Sequence, residues 1–416
     1  MVMGSGDHSA RGRRLATRCS LRGGSTLPAV EVTARQAHWF RLRRSGLVDR
    51  FATPAETARH LVGVQAQMLP AANLALWHRT AGCTLDQLTA ARLDDRHLVR
   101  MWGQRNTLHL YDSDDWPLLH VGLQRPATTL FDRLARDGGL TERDLGRHVR
   151  RTARRLLERG MLRYTDVTVP ALKRHIEHAL ATTKLATVIN MDAGWMATHL
   201  IFRSLVRDGL ACHGPDQGNE STFVHRESWL PALAWSPPDP ETAGAELACR
   251  YLSTYGPAHA RDVAHYFGLS LTMARDWITA AGGRCSAVVV EGQRRWCCRA
   301  DLATLSEQPP PPSRWPVKLL YRFDPLLLGT KDKGWLVDAE LKRKVWIRAG
   351  HVNAVLLVRG RIAGIWRYDR KSQGLHVKVE PFFPLSSSVA RATRTQAAAI
   401  AKFLKLPLRS LEIEPN

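Results

Sequence analysis

A chain of 416 residues with 44% hydrophobic content is too long for one core and suits about two to four domains. Its 60 Lys and Arg against 38 Asp and Glu leave a net charge of +22, which attracts polyanions, nucleic acid first among them. No run of 18 apolar residues occurs, which excludes an ordinary transmembrane helix, and seven scattered cysteines without a Cys-x-x-Cys pair signal no disulfide framework, metal site or cofactor.

Residues 1–30 hold glycines, serines and scattered arginines and read as a disordered basic arm. Ala10-Arg11-Gly12-Arg13-Arg14 precedes no continuous apolar segment, so no export signal is read. From Thr33 to Gly46 the sequence predicts a helix closed by glycine. A second helix starts at Thr53-Pro54-Ala55-Glu56, with threonine as N-cap and proline at N1, and is expected to run into Gln65. Helices over Asn73–Arg79 and Thr84–Ala91 follow. Val99–Trp102 and Thr107–Tyr111, joined by Gly103-Gln104-Arg105-Asn106, then predict a β-hairpin, so residues 31–138 read as a helical group with a two-stranded wing.

The same order returns over residues 139–236, with helices at Asp144–Arg159, Thr168–Ala181 and Gly194–Gly209 and a wing of Leu210–His213 with Ser221–Val224. Trp235-Ser236-Pro237-Pro238-Asp239-Pro240 is a linker. Residues 241–307 give a third unit, ending in a wing of Ser286–Val290 and Arg294–Cys297 across Glu291-Gly292. Beyond the prolines of 308–312 the composition turns β-rich. Residues 313–416 are expected to form a barrel-like subdomain closed by a helix over Val389–Leu404. The fold class is therefore mainly α with β: three tandem winged-helix units plus a C-terminal β-rich subdomain.

Within Leu61-Val62-Gly63-Val64-Gln65-Ala66-Gln67-Met68-Leu69-Pro70, two amides interrupt an apolar run. Burying a primary amide without partners costs about 1–3 kcal/mol, so on a helix or an extended segment a cleft holding water or ligand would satisfy Gln65 and Gln67. Amides are poor bases, but a pair can fix one water in orientation, which suits a reaction with a good leaving group. The alternative is a helix cap or an inert core lining.

This stretch resembles the glutamine–apolar–glutamine motif of the AlkZ-like branch of winged-helix DNA glycosylases, the superfamily that includes the YcaQ-like proteins. The resemblance continues through Arg105-Asn106-Thr107-Leu108-His109-Leu110, through 251–269, and through Phe323-Asp324-Pro325-Leu326-Leu327-Leu328-Gly329 to Trp366. It implies a monofunctional glycosylase that hydrolyses the N-glycosidic bond of alkylated purines, with Gln65 and Gln67 catalytic and no cofactor. The family turn carries glycine where this chain has Asn106, whose tolerance of left-handed geometry preserves the turn.

Arg105, Thr107 and His109 are candidates for contact with phosphate or the lesion strand; the alternative for the last two is an internal Thr–His hydrogen bond. Lys331 and Lys333 are candidate backbone clamps, and Arg359 and Arg361 stand at a hairpin tip suited to a DNA groove. Asp324 before proline reads as a turn starter. Gly214-Pro215-Asp216 lacks the hairpin of the helix-hairpin-helix glycosylases, and His175-Ile176-Glu177-His178 lacks zinc-helix spacing. The expected partner is double-stranded DNA carrying alkylated purines, acted on by a monomer in the bacterial cytoplasm beside the nucleoid, away from membranes. The competing class is a non-enzymatic winged-helix regulator that binds one sequence and releases no base.

Overall fold

The computed structural model describes residues 30–123, 130–182, 191–371 and 374–415. Most of the predicted basic arm lies outside them. Strand β1 (Val30–Val32) opens the described chain and leads into the helix Ala34–Arg44, whose start is a capping box between Thr33 and Gln36. Thr33 Oγ1 accepts from the Gln36 N–H at 3.2 Å, while Gln36 Oε1 accepts from the Thr33 N–H at 2.9 Å. This helix pegs two regions together. Ala37 and Phe40 pack on the third wing, and Leu42 packs with Trp315 and Leu320. Between them the buried Arg41 donates to the carbonyls of Tyr255 (3.1 Å) and Pro257 (2.6 Å).

The helix Pro54–His60 begins as its Thr53 cap and N1 proline predict, but it does not reach Gln65. Val62 (φ 53°) and Gly63 (φ 94°) are left-handed, and an α-helix cannot continue through them. Glycine is required at 63 on a second count, because a Cβ there would lie 2.3 Å from the Tyr111 ring. The chain leaves this corner extended, as β2 (Val64–Gln65). The predicted hairpin follows as β3 (Leu98–Trp102) and β4 (Leu108–Asp112), with β2 paired to β4.

β5 (Leu162–Arg163), β6 (Ala211–His213) and β7 (Thr222–His225) form the second wing among the helices Glu142–Arg159, Pro170–Thr182 and Ala193–Arg207. The two wings are not separate. Arg100 of β3 pairs with His213 of β6, giving one six-stranded sheet in the order β2-β4-β3-β6-β7-β5. The third wing, β8 (Cys285–Val290) and β9 (Gln293–Cys298), gains β1 as a parallel edge strand. C-terminally, β10 (Lys318–Leu320), β11 (Ala354–Val358), β12 (Arg361–Lys371), β13 (Gly374–Pro381) and β14 (Leu408–Ile413) form a sheet in chain order. It is open. The β10 and β14 edges do not meet, and the helix Ser387–Phe403 packs across it, so the expected barrel-like closure is replaced by a helix-covered sheet.

Among the described residues no helix is long and apolar enough to cross a membrane.

Candidate active site

Gln65, Ala66 and Gln67 leave the left-handed corner as extended chain, in which alternate side chains share a face. Ala66 is fully buried, Gln65 is half-buried and Gln67 is exposed. The residue between the amides is clamped at both backbone groups. Its N–H donates to Leu108 O at 2.7 Å and its carbonyl accepts from Arg100 Nε at 3.2 Å. Fixing Ala66 inward turns both glutamines to the outer face. Arg100 is in turn 3.8 Å from Asp216 in the β6–β7 loop, so both joined wings hold the motif.

The corner that ends the preceding helix frees two carbonyls, and buried side chains take them. Tyr266 donates its hydroxyl to Leu61 O at 2.5 Å, and Gln104 Nε2 donates to Val62 O at 3.0 Å while Gln104 Oε1 accepts from Tyr111. Tyr266 packs against Tyr251, Tyr255 and Phe267. The floor beneath the glutamines is therefore aromatic and fully hydrogen-bonded at its carbonyls, which holds the outer face rigid.

Arg105 borders the pair. It and Asn106 are left-handed (φ 55° and 57°), which turns the guanidinium back over the strand. Its Nη2 donates to Gln65 Oε1 at 3.3 Å, its Nη1 donates to Tyr266 O, and Cζ stands 5.5 Å from the Tyr266 ring centroid. Burial pulls its pKa below the usual arginine value, yet a guanidinium stays charged near neutrality. Gln67 Oε1 accepts from the Leu108 N–H at 3.3 Å. Each amide oxygen retains a second lone pair, and among the described residues neither Nε2 has a protein partner. Two anchored amides with free hydrogen-bonding capacity toward solvent, beside a fixed cation, can orient water and favour a phosphate-bearing ligand.

Of the predicted contact residues, Lys331 is exposed, with its backbone N–H on Asp262 Oδ1 at 2.9 Å. Arg359 and Arg361 flank Gly360 at the exposed β11–β12 tip, where Arg359 (φ 52°) and Gly360 (φ 80°) make a two-residue turn. Arg361 pairs with Asp338. Thr107 caps its own turn, Oγ1 to Gln104 O at 3.3 Å.

Two candidates are corrected. His109 is buried beneath β4 rather than facing a strand of DNA: its Nδ1 donates to Thr107 O at 2.9 Å, and burial with nearby Arg105 pushes its pKa down to about 3, so it is neutral. This is the internal Thr–His alternative. Lys333 is also buried, its Nζ donating to Leu327 O (2.8 Å) and Thr330 O beside the Trp346 ring, so it braces a loop and reaches no phosphate. Asp324 is structural, as its position before proline suggests. It makes a buried two-bond pair with Arg79 (2.6 and 2.9 Å) and caps the turn at Leu326 N–H.

Sequence reasoning missed Arg100, Gln104, Tyr266 and His265. The last is exposed on the helix Ala260–Phe267, with its pKa pushed to about 4 by partial burial, Lys333 and Arg105. Tyr266 lies some 200 positions from the strand it serves, and only the tertiary fold joins them.

A family model described as DNA glycosylase AlkZ-like matches residues 58–403, which include this site, and places the protein in the DNA glycosylase class. The chain belongs to that family. It is 27% identical over 390 residues to the interstrand DNA cross-link repair glycosylase of Streptomyces sahachiroi, covering 91% of this chain and 100% of the relative. The solved structure of the Streptomyces sahachiroi DNA glycosylase AlkZ superposes with a TM-score of 0.74 at 25% identity, covering 92% of this chain and 100% of that one.

Proposed function

We propose that this enzyme is a monofunctional DNA glycosylase that removes N7- or N3-alkylated purines from duplex DNA, bulky and interstrand-crosslinked adducts included. The observation that carries the reading is the amide pair turned outward on one face beside Arg105. An N7-alkylguanine already bears positive charge and leaves as a neutral base, so little acid catalysis is needed. Positioning and electrostatics suffice. Gln65 and Gln67 orient the attacking water toward C1′ and stabilise the oxocarbenium-like sugar, while Arg105 fixes Gln65.

Lysine chemistry is not used. The Lys333 amine is pushed down to about 7 by burial, but it is enclosed and committed to two carbonyls, so it forms no Schiff base with the sugar. Lys331, Arg359 and Arg361, from the C-terminal region, grip the duplex backbone where it leaves the three helix-plus-wing units. A large adduct is handled without complete base flipping, because a tight pocket would exclude it. The enzyme acts as a monomer on chromosomal DNA in the bacterial cytoplasm, and its role is repair of, or self-resistance to, a DNA-alkylating natural product.

The test is incubation of the purified chain with N7-alkylated duplex, then heating in alkali. Strand cleavage at abasic sites above the no-protein control is expected. Gln65→Ala with Gln67→Ala should reduce it by about 10²-fold or more while duplex binding persists. Intact strands together with tight sequence-specific binding would instead identify a regulator.

A further inference from the structure

Between the helix Ala34–Arg44, the β8–β9 wing and the β11–β12 hairpin lies a cavity of about 580 Å³. Five guanidinium groups line it: Arg35, Arg41, Arg295, Arg359 and Arg361. Its three carboxylates are Asp262, Glu291 and Asp332, and Asp262 is spent on backbone, accepting from Lys331 N–H and His259 N–H at 2.9 Å each.

Three of the arginines are committed elsewhere. Arg35 donates to the carbonyls of Pro309 and Pro310, Arg41 to those of Tyr255 and Pro257, and Arg361 pairs with Asp338. Two are not so committed. Arg295 has an enclosed Nε with no partner among the described residues, only its Nη2 reaching Gln293 at 3.3 Å, and Arg359 is exposed at the hairpin tip. Five arginines against three carboxylates leave the lining net positive, and a phosphate between Arg295 and Arg359 complements that excess. One wall is aromatic, with the Arg41 guanidinium standing 4.6 Å over the Trp335 ring and the rest of the wall left to a ligand. His38 packs edge-on against Trp315 and Trp335 (5.3 and 4.9 Å), donates Nε2 to Gly360 O at 2.8 Å, and is kept neutral by burial at a pKa of about 4.

The volume lies within the range of small-ligand sites, roughly 300–1,000 Å³, and admits one nucleotide. One helix connects the cavity to the residue that holds Gln65. Asp262 lines the cavity, and Tyr266, four residues on in the same helix and about 6 Å along its axis, carries the carbonyl that Arg105 binds.

We propose that this cavity is a nucleotide subsite in which Arg295 and Arg359 hold a phosphate and the Trp335 wall meets its base. The inference rests on the DNA-glycosylase reading. The occupant is one nucleotide displaced from the duplex near the lesion; a free nucleoside monophosphate offers the same chemistry.

The test is a fluorescence titration of the full chain with a duplex carrying one unpaired adenosine, with the fully paired duplex, and with dAMP alone. The bulged duplex should bind about tenfold more tightly than the paired one, the preference that one base on an aromatic wall provides. Arg295→Gln should erase that preference while melting at the wild-type temperature, and Arg359→Gln, which also loses its grip on paired duplex, should weaken both duplexes and narrow the preference. Saturation by dAMP with no preference for the bulge would assign the cavity to a free nucleotide and overturn the duplex occupant. Equal binding of both duplexes without dAMP binding would overturn the subsite altogether, as would a preference that survives in both variants. Should wild-type protein prefer the bulge yet release no base from N7-alkylated DNA, the glycosylase reading falls and the subsite stands.

Discussion

Two turns of this molecule share a backbone geometry and differ in everything built on it. At Arg105-Asn106 and at Arg359-Gly360 the chain passes through two consecutive left-handed residues, and each time the first is arginine. The Arg105 turn is capped by the helix Ala260–Phe267 and the glycine that follows it. A Cβ on Gly268 would lie 3.3 Å from the Arg105 backbone, and the guanidinium is held by Tyr266 O and Gln65. At the second turn Gly360 is buried on Trp315 and held by His38, while Arg359 itself is exposed and lines the rim of a cavity. One guanidinium is held by two acceptors beside the glutamine pair and the other is exposed with no hydrogen-bond partner among the described residues. The packing partner decides which, not the turn.

Breaking the buried turn should have the larger effect. Arg105→Ala leaves Tyr266 O without its donor and Gln65 unrestrained, so we expect a stability loss of about 1–3 kcal/mol. Excision should fall by about 10²-fold, because a displaced positioning group costs that much. Arg105→Lys should rescue little, since one ammonium cannot span both acceptors with the fork of a guanidinium. Melting curves and the alkali-cleavage assay separate the two losses. The contact can also be broken from the opposite side. Gly268 has φ 71°, so Gly268→Ala adds left-handed strain and a new Cβ 3.3 Å from the Arg105 backbone, and should cost about 1–2 kcal/mol by chemical denaturation.

The same contrast explains what the sequence made legible. Helix starts at Thr33, Thr53 and Thr84 are local hydrogen-bond patterns, and they appear as predicted. The Arg359-Gly360 turn is local too, although His38, some 320 positions away, buries its glycine. The glutamine pair was visible because two amides in an apolar run demand a reason. Its strand conformation was not, because the left-handed corner at Val62 and Gly63 that follows the helix packs on the Tyr111 ring, some 50 positions on. Lys333 and His109 resemble surface groups in the sequence; Trp346 and Leu327 around Lys333 and Tyr111 beside His109 lie close by in the chain, and only the fold turns them onto these side chains. The joining of two wings at Arg100 and His213 and the pairing of Val30 with Val288 are long-range contacts that no local pattern encodes.

A pH titration sharpens the comparison on the buried side. His109 is neutral in the fold, with a pKa of about 3 against an ordinary 6.5, so the folded state binds fewer protons than the unfolded state between those values. Stability therefore rises with pH across that window and is lost as pH falls through it, by about 1.4 kcal/mol per unit for this one group. His109→Gln should flatten the acid limb of a plot of melting temperature against pH. An unchanged limb would show that His109 does not titrate with unfolding.

The smallest effect on the fold is expected at the exposed turn. Arg359→Gln removes a charge from a residue that caps and packs nothing, so its melting temperature should match the wild type within the roughly 0.5 kcal/mol usual for surface changes. Its consequence lies in binding. One phosphate contact fewer releases one counterion fewer, so the slope of log K against log salt on paired duplex should drop by about 0.9. The loss should be uniform across paired sequences, because phosphate contacts carry no base information. A variant that keeps the wild-type slope but melts lower would mean that Arg359, like Arg105, is a structural arginine, and the distinction between the two turns would fail.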